Sequence, residues 1–252
     1  MKNKLESTIC YKVLLKIKGK EFIITSLLDL GFYVAFYIGM ILWVLALQIK
    51  SKIIGQVDLN SIAYQKTSEL TSTLGTVQGF LFYLILFLVV FLIYALLDVT
   101  LIKGYIYTRI TETKFTKKYA IKLFKANLIW YAFIVAILLF LLVLLKNLVI
   151  APMILFIGIS FLLYVTVIFQ IVFAIDQKKI IKRVFFVAIQ RIHKFILPLV
   201  LLIIIFSIIT VISRGLQYVP QPIAQILSGA ILLLFFAFGR FYLAAVVKKQ
   251  LH

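Results

Sequence analysis

The sequence has few of the residues from which catalytic and metal sites are usually built. One cysteine, Cys10, excludes an intrachain disulfide and a zinc site made of cysteines. The two histidines are His193, in a basic segment, and His252; they form no metal triad and no Ser/His/Asp set. Glycine loops of the G-x-x-x-x-G-K-[ST] and G-x-G-x-x-G types are absent too. We therefore predict no catalytic residues, no metal and no cofactor, and we expect that the protein is not an enzyme.

Acidic residues are scarce as well, with eight against 27 lysines and arginines and a net charge of +19. A charge of this size is also found in nucleic-acid binders. Here, however, 64% of the residues are hydrophobic and the mean hydropathy is +1.16, well above the roughly 45–50% apolar content of soluble domains. The composition therefore indicates an integral membrane protein, and we predict no nucleic-acid partner.

Apolar runs of about 20 residues recur along the chain, each long enough to cross a hydrocarbon core roughly 30 Å thick as a helix. The first run is interpreted as a retained span, because no small-x-small cleavage site follows it. The sequence thus predicts an all-α polytopic membrane protein with a single six-span domain over residues 1–252. The predicted spans are residues 29–47, 80–102, 128–145, 155–175, 195–212 and 223–247.

The cations are unevenly divided between the two ends of these spans. Five lie in the segments after the first, third and fifth spans, whereas 21 lie in the N-terminal segment, the second and fourth connections and the C-terminal tail. Because lysine and arginine are retained on the cytoplasmic side, this asymmetry predicts a cell-membrane protein with both termini in the cytoplasm. A basic face of this kind attracts anionic lipid headgroups, so membrane lipids are the predicted partners. No protein partner is indicated.

The second and fourth connections are predicted to form amphipathic helices that lie on the membrane surface. In KFTKKYAIKLFK (114–125) and KKIIKRVFFVAIQRIHK (178–194), most cations share one helical arc and most apolar side chains the other. Each segment precedes a pair of spans, as does the N-terminal segment, and this order indicates a threefold repeat of surface helix plus hairpin. The cations expected to contact lipid headgroups are Lys114, Lys117, Lys118, Lys122, Lys125, Lys178, Lys179, Lys182 and Arg183.

Arg240 stands inside an apolar run, FFAFGRFYLAA, about 12 Å from the predicted cytoplasmic end of the last span. A charge at the helix centre costs about 2.5–3.5 kcal/mol and usually finds a partner inside the bundle. We therefore predict an ion pair of Arg240 with Asp98, which lies at a similar depth, and Asp29 is the second candidate. Asp29 and Asp176 are expected to reach water at the ends of their spans. The sequence leaves open whether Arg240 is a structural latch, snorkels to the headgroups or belongs to a binding site.

Two short segments, AIKLFKANLIW and AIQRIHKFILP, each lie a few residues before a span. With this arrangement, six spans and no catalytic motif, the chain resembles poorly characterised prokaryotic six-helix membrane proteins. They are related to the membrane domain that accompanies some glycerophosphodiester phosphodiesterases. The resemblance implies a membrane module without that enzymatic activity, since the phosphodiesterase domain is absent.

The predicted function is that of a lipid-interacting or scaffold component of the membrane. The alternative is a small transporter or channel for an anionic or lipid-like substrate, which would use a charged layer around Arg240.

Overall fold

Every element of regular structure in the described part of the chain is helical. The computed structural model describes residues 19–54, 67–145, 150–218 and 220–251, apart from the side chains of residues 50–54, 67–74 and 217. The α-helices are α1 (Gly19–Ile54), α2 (Thr67–Asp98), α3 (Gly104–Thr111), α4 (Lys117–Leu145), α5 (Ala151–Ile175), α6 (Ile180–Phe185), α7 (His193–Gly215) and α8 (Gln221–Leu251).

Three shorter elements complete the path. The π-helix Val99–Lys103 follows α2 and precedes α3, and a second π-helix, Phe186–Gln190, continues α6. A 3-10 turn, Leu216–Tyr218, follows α7. Such π-helical turns are rare and are often found at functional sites.

Six helical stretches in the described part of the chain are long and apolar enough to cross a membrane: α1, the stretch Gly75–Thr111, α4, α5, α7 and α8. This confirms the prediction of an all-α polytopic protein. Large apolar side chains along these helices are exposed, among them Ile129, Phe156 and Val211, each about 70% accessible. Such extensive apolar exposure fits contact with acyl chains, which helices tolerate because their backbone hydrogen bonds are satisfied internally. The chain is an integral membrane protein.

By its internal contacts the chain divides into two compact units, Met1–Leu30 with Thr100–His252, and Gly31–Val99. In the first unit, the core lies around the C-terminal half of α5, where Ile168, Ile171 and Val172 are fully buried. Side chains of α3, α4, α6 and α8 pack around them. The single domain over residues 1–252 stays a prediction.

The second unit pairs the described part of α1 after residue 30 with α2. The Phe36 ring contacts the Phe91 ring, with centroids 5.8 Å apart. The Tyr94 hydroxyl donates a 2.6 Å hydrogen bond to the carbonyl of Ala35. A side chain at Gly39 would collide with the Tyr94 ring, so glycine permits this close approach.

The two basic segments fold differently from each other. Residues 117–125 are the first turns of α4, because no glycine or proline separates them from the span; they do not form a surface helix of their own. Their amphipathic character is confirmed, since Tyr119 and Leu123 are buried while the lysines are exposed. In the other segment, α6 and its π-helix form a separate helical stretch before α7. The threefold repeat stays a prediction.

Candidate functional site

A buried carboxylate, that of Asp29 on α1, holds two cations from distant parts of the chain. Lys103 Nζ donates to Asp29 Oδ1 over 2.8 Å. Arg240 on α8 donates from Nη1 to the same oxygen, and its Nη2 pairs with Asp29 Oδ2. The side chains of Asp29, Lys103 and Arg240 are 0%, 15% and 9% exposed. We call these three residues the charge cluster; charge-assisted bonds of this kind are among the strongest in proteins.

The charge cluster gives Arg240 the partner that was the second candidate from the sequence. Asp98 is buried within the second unit, and its pairing with Arg240 stays a prediction. The expectation that Asp29 reaches water is wrong. The helix begins at Gly19, so that Asp29 lies more than two turns inside α1 and is fully buried.

A second polar contact crosses the apolar interior of the first unit. Asn127 on α4 donates from Nδ2 to Thr100 Oγ1 over 3.1 Å. Gln170 on α5 donates from Nε2 to Asn127 Oδ1 over 2.6 Å. All three are buried, and we call them the polar ladder. Thr100 and Lys103 belong to the same π-helix, so this short element contributes to both the polar ladder and the charge cluster.

The basic pocket is a cavity of about 470 Å³ where the α3–α4 connection, the first turns of α4 and the end of α5 meet. Four lysines line it, namely Lys114, Lys118, Lys122 and Lys178. Lys122 Nζ donates to Gln177 Oε1 over 3.2 Å. Lys114 and Lys118 form no ion pair with any residue in the described part of the chain.

Asp176 is the carboxylate that lines this pocket. The backbone N–H of Lys178 donates to its Oδ1 over 2.7 Å, and Arg183 Nη1 donates to its Oδ2. The hydrogen bond from Lys178, together with the nearby Arg183 guanidinium, lowers the pKa of Asp176 below its usual value. The carboxylate therefore stays ionised at neutral pH, and each of its two oxygens already accepts a hydrogen bond.

The basic groove is a second cavity, of about 390 Å³, beside α6. Cations and aromatic rings line it together. The lining residues are Lys179, Lys182, Arg183, Phe185, Phe186 and Gln190.

Seven of the nine cations predicted to contact lipid headgroups lie around these two cavities. Lys117 and Lys125 line neither cavity and are exposed on α4. Contact of any of the nine with lipid stays a prediction.

Sequence reasoning missed the roles of three residues. Lys103 belongs to the second connection in the sequence prediction, although no glycine or proline separates it from α2. Asn127 in KANLIW could have been found as an amide at the start of an apolar run, where it needs a partner. Tyr119 belongs to the apolar arc of residues 114–125, and that pattern indicates no role for its hydroxyl.

Among the residues that the structure describes, no group of three His, Cys, Asp or Glu side chains could hold a metal ion. No protein-family model, curated protein or solved structure matches this chain. The geometry of its own residues is therefore the basis for a proposed function.

Proposed function

We propose that the chain is a lipid-interacting scaffold component of the cell membrane, and that its basic face binds anionic headgroups. The basic face consists of the span ends that carry the basic pocket and the basic groove. The distribution of cations supports a cytoplasmic position for it. Like the membrane module that the sequence resembles, the chain is proposed to have no catalytic activity.

The observation that carries this proposal is the two-sided surface of α6 and its π-helix. On one side Val184 is buried in the core. On another side Ile181, Phe185 and Ile189 follow each other at four-residue intervals and are exposed, Ile181 to 79%. Lys182 is exposed next to Ile181. A helix with exposed apolar side chains next to cations is suited to the boundary between headgroups and acyl chains.

Lipid selectivity at the protein surface tests the proposal. We expect the wild-type protein in phosphatidylcholine vesicles to enrich spin-labelled phosphatidylglycerol over spin-labelled phosphatidylcholine in its immobilised lipid signal, and the enrichment to fall with added salt. In the Lys179→Gln/Lys182→Gln variant, the affinity of the protein for phosphatidylglycerol should fall by up to about fivefold for each lysine that contacts a headgroup directly.

The matched control removes two cations from the opposite ends of the spans, Lys52→Gln/Arg214→Gln, and should keep the wild-type enrichment. Equal immobilisation of the two lipids by the wild-type protein would refute the proposal. An equal loss in both double variants would refute the assignment to the basic face.

The proposed orientation is tested with the native cysteine. Cys10 lies in the N-terminal segment, outside the described residues, and we expect a membrane-impermeant maleimide to label it only after permeabilisation of the cells. Gln221→Cys in a Cys10→Ser background places a thiol at the first residue of α8, at the ends of the spans opposite the basic face. This thiol should be labelled in intact cells. The reverse pattern would show that the basic face is not cytoplasmic.

A further inference from the structure

We infer that the basic pocket binds the phosphate group of an anionic lipid, prefers a phosphomonoester, and uses the Tyr119 hydroxyl as a hydrogen-bond donor. This inference rests on the proposed function and deepens it, because it gives the basic face one defined site and one class of headgroup.

The first argument is charge. The four lysines of the basic pocket come from the α3–α4 connection, α4 and the segment after α5, and they surround one volume. The carboxylate of Asp176 is already bound by Arg183 and by a backbone N–H. An anion in the pocket would offset the repulsion among the ammonium groups. A phosphomonoester carries about −1.5 to −2 charges at neutral pH, and therefore gains more there than a phosphodiester with one.

The second argument is the buried hydroxyl of Tyr119, a residue that is part of the pocket lining. The residue is 5% exposed, and its hydroxyl has no hydrogen-bond partner among the residues that the structure describes. Edge contacts with Phe115 and Phe173, at centroid distances of 5.5 and 5.4 Å, hold the ring. Buried hydroxyls nearly always have a partner, and a phosphate oxygen in the pocket would be an acceptor.

The third argument favours a lipid over a soluble phosphate. The helix that carries Lys118 and Lys122 continues directly into a membrane span. Ile121 and Leu128 on the same helix are 50% and 53% exposed, so an acyl chain could extend along α4 from a headgroup held at its start. Basic pockets between transmembrane helices are known sites for phosphorylated headgroups, and a volume of about 470 Å³ lies in the usual range for small-molecule sites.

Native mass spectrometry of the full-length protein tests the inference, after extraction with equimolar phosphatidic acid and phosphatidylglycerol that have the same acyl chains. We expect the wild-type protein to retain more phosphatidic acid. The Lys118→Gln/Lys122→Gln variant should weaken this retention by about thirtyfold, the factor for two lysine contacts at a membrane surface. Tyr119→Phe, which removes one oxygen atom, should weaken it by about tenfold, as for a lost hydrogen bond to a charged group.

The control is Lys117→Gln/Lys125→Gln, which removes the same charge from the same helix. These two lysines do not line the pocket, so they would act on the phosphate only at a distance, where salt screens the attraction, and retention should change less than about threefold. If both double variants lose retention equally, the basic face as a whole binds lipid, and the pocket is refuted while the proposed function stands. Wild-type protein that retains no anionic lipid would refute both. Equal retention of the two lipids would overturn the phosphomonoester preference.

Two further measurements test the choice of a lipid over a soluble phosphate and the role of the Tyr119 hydroxyl. Full displacement of the lipid by millimolar glycerol phosphate would assign the pocket to soluble phosphates and overturn the lipid. Wild-type retention in Tyr119→Phe, which keeps the ring that packs on Phe115 and Phe173, would overturn the role of the hydroxyl without depending on a variant that fails to fold.

Discussion

Asp29→Asn is expected to be the least stable single variant of the charge cluster, at about 3–5 kcal/mol below the wild-type protein. The amide keeps the volume of the carboxylate but leaves Lys103 and Arg240 as two cations with one neutral group between them. The arginine side chain keeps its positive charge at neutral pH. Water cannot solvate the Arg240 charge well either, because its side chain is only 9% exposed.

Loss of either cation, Lys103 or Arg240, is expected to lower the free energy of unfolding less than loss of the Asp29 charge. In Arg240→Met the carboxylate keeps Lys103 as its partner at 2.8 Å, and in Lys103→Met it keeps Arg240, so each variant should be less damaging than Asp29→Asn. Reversible unfolding in mixed detergent micelles, followed by the fluorescence of Trp43 and Trp130, measures the three free energies of unfolding.

A matched control exists on the same helix. Glu21 accepts bonds of 3.0 and 3.1 Å from Arg109, but its side chain is 37% exposed. Glu21→Gln makes the same chemical change as Asp29→Asn, and it should cost at most about 1 kcal/mol because the pair is solvated. If Asp29→Asn costs no more than this control, Asp29 is not the anchor of the charge cluster.

A double-mutant cycle separates the two predicted partners of Arg240. Asp29→Asn and Arg240→Met should be strongly non-additive, because both remove the same interaction. Asp98→Asn combined with Arg240→Met should give additive losses; strong coupling there instead would make Asp98 the partner. An exchange of the two charges, Asp29→Arg with Arg240→Asp, should restore stability only partly, because Lys103 would then face an arginine at position 29.

The location of the spans and the partner of Arg240 differ in how far sequence can predict them. Span number follows from the local density of apolar residues, and the sequence predicted all six helices. Their ends lie further out, as at Lys117 and Ile54, because polar residues without a breaker continue a helix that is already formed. The depth of Arg240 could be counted at 1.5 Å per residue, and this placed Asp98 first. Asp29 came second because the sequence placed it at the end of its span, whereas α1 extends back to Gly19. The choice between them depends on helix rotation, which depth alone does not give.

The basic pocket could likewise be predicted only in part from the sequence. Periodicity separated most lysines of α4 from its apolar face, but headgroup contact was predicted for Lys117 and Lys118 alike. Only packing distinguishes them, since the end of α5 covers one side of α4 and makes a cavity there. The π-helix over Val99–Lys103 is a further feature without a sequence signal here: VTLIK contains no glycine or proline, and its side chains meet partners on α1 and α4 that lie far away in the chain.

Asn127→Leu is expected to lower the free energy of unfolding by about 1–3 kcal/mol, because it removes both bonds of the polar ladder and leaves the Gln170 amide buried without its acceptor. Single hydrogen bonds between membrane helices average about 0.6 kcal/mol, so most of this loss should come from the stranded amide of Gln170. The fluorescence assay described for Asp29 measures it.

The triple variant Thr100→Val/Asn127→Leu/Gln170→Leu distinguishes that cause from a packing defect. Replacing every partner by an apolar group of similar shape leaves no unpaired polar atom, so the triple variant should be more stable than Asn127→Leu alone, although it carries two more substitutions. If it is less stable, leucine at position 127 does not fit between α4 and α5. Because these two helices form walls of the basic pocket, Asn127→Leu should also weaken its retention of phosphatidic acid, and the triple variant should recover it along with stability.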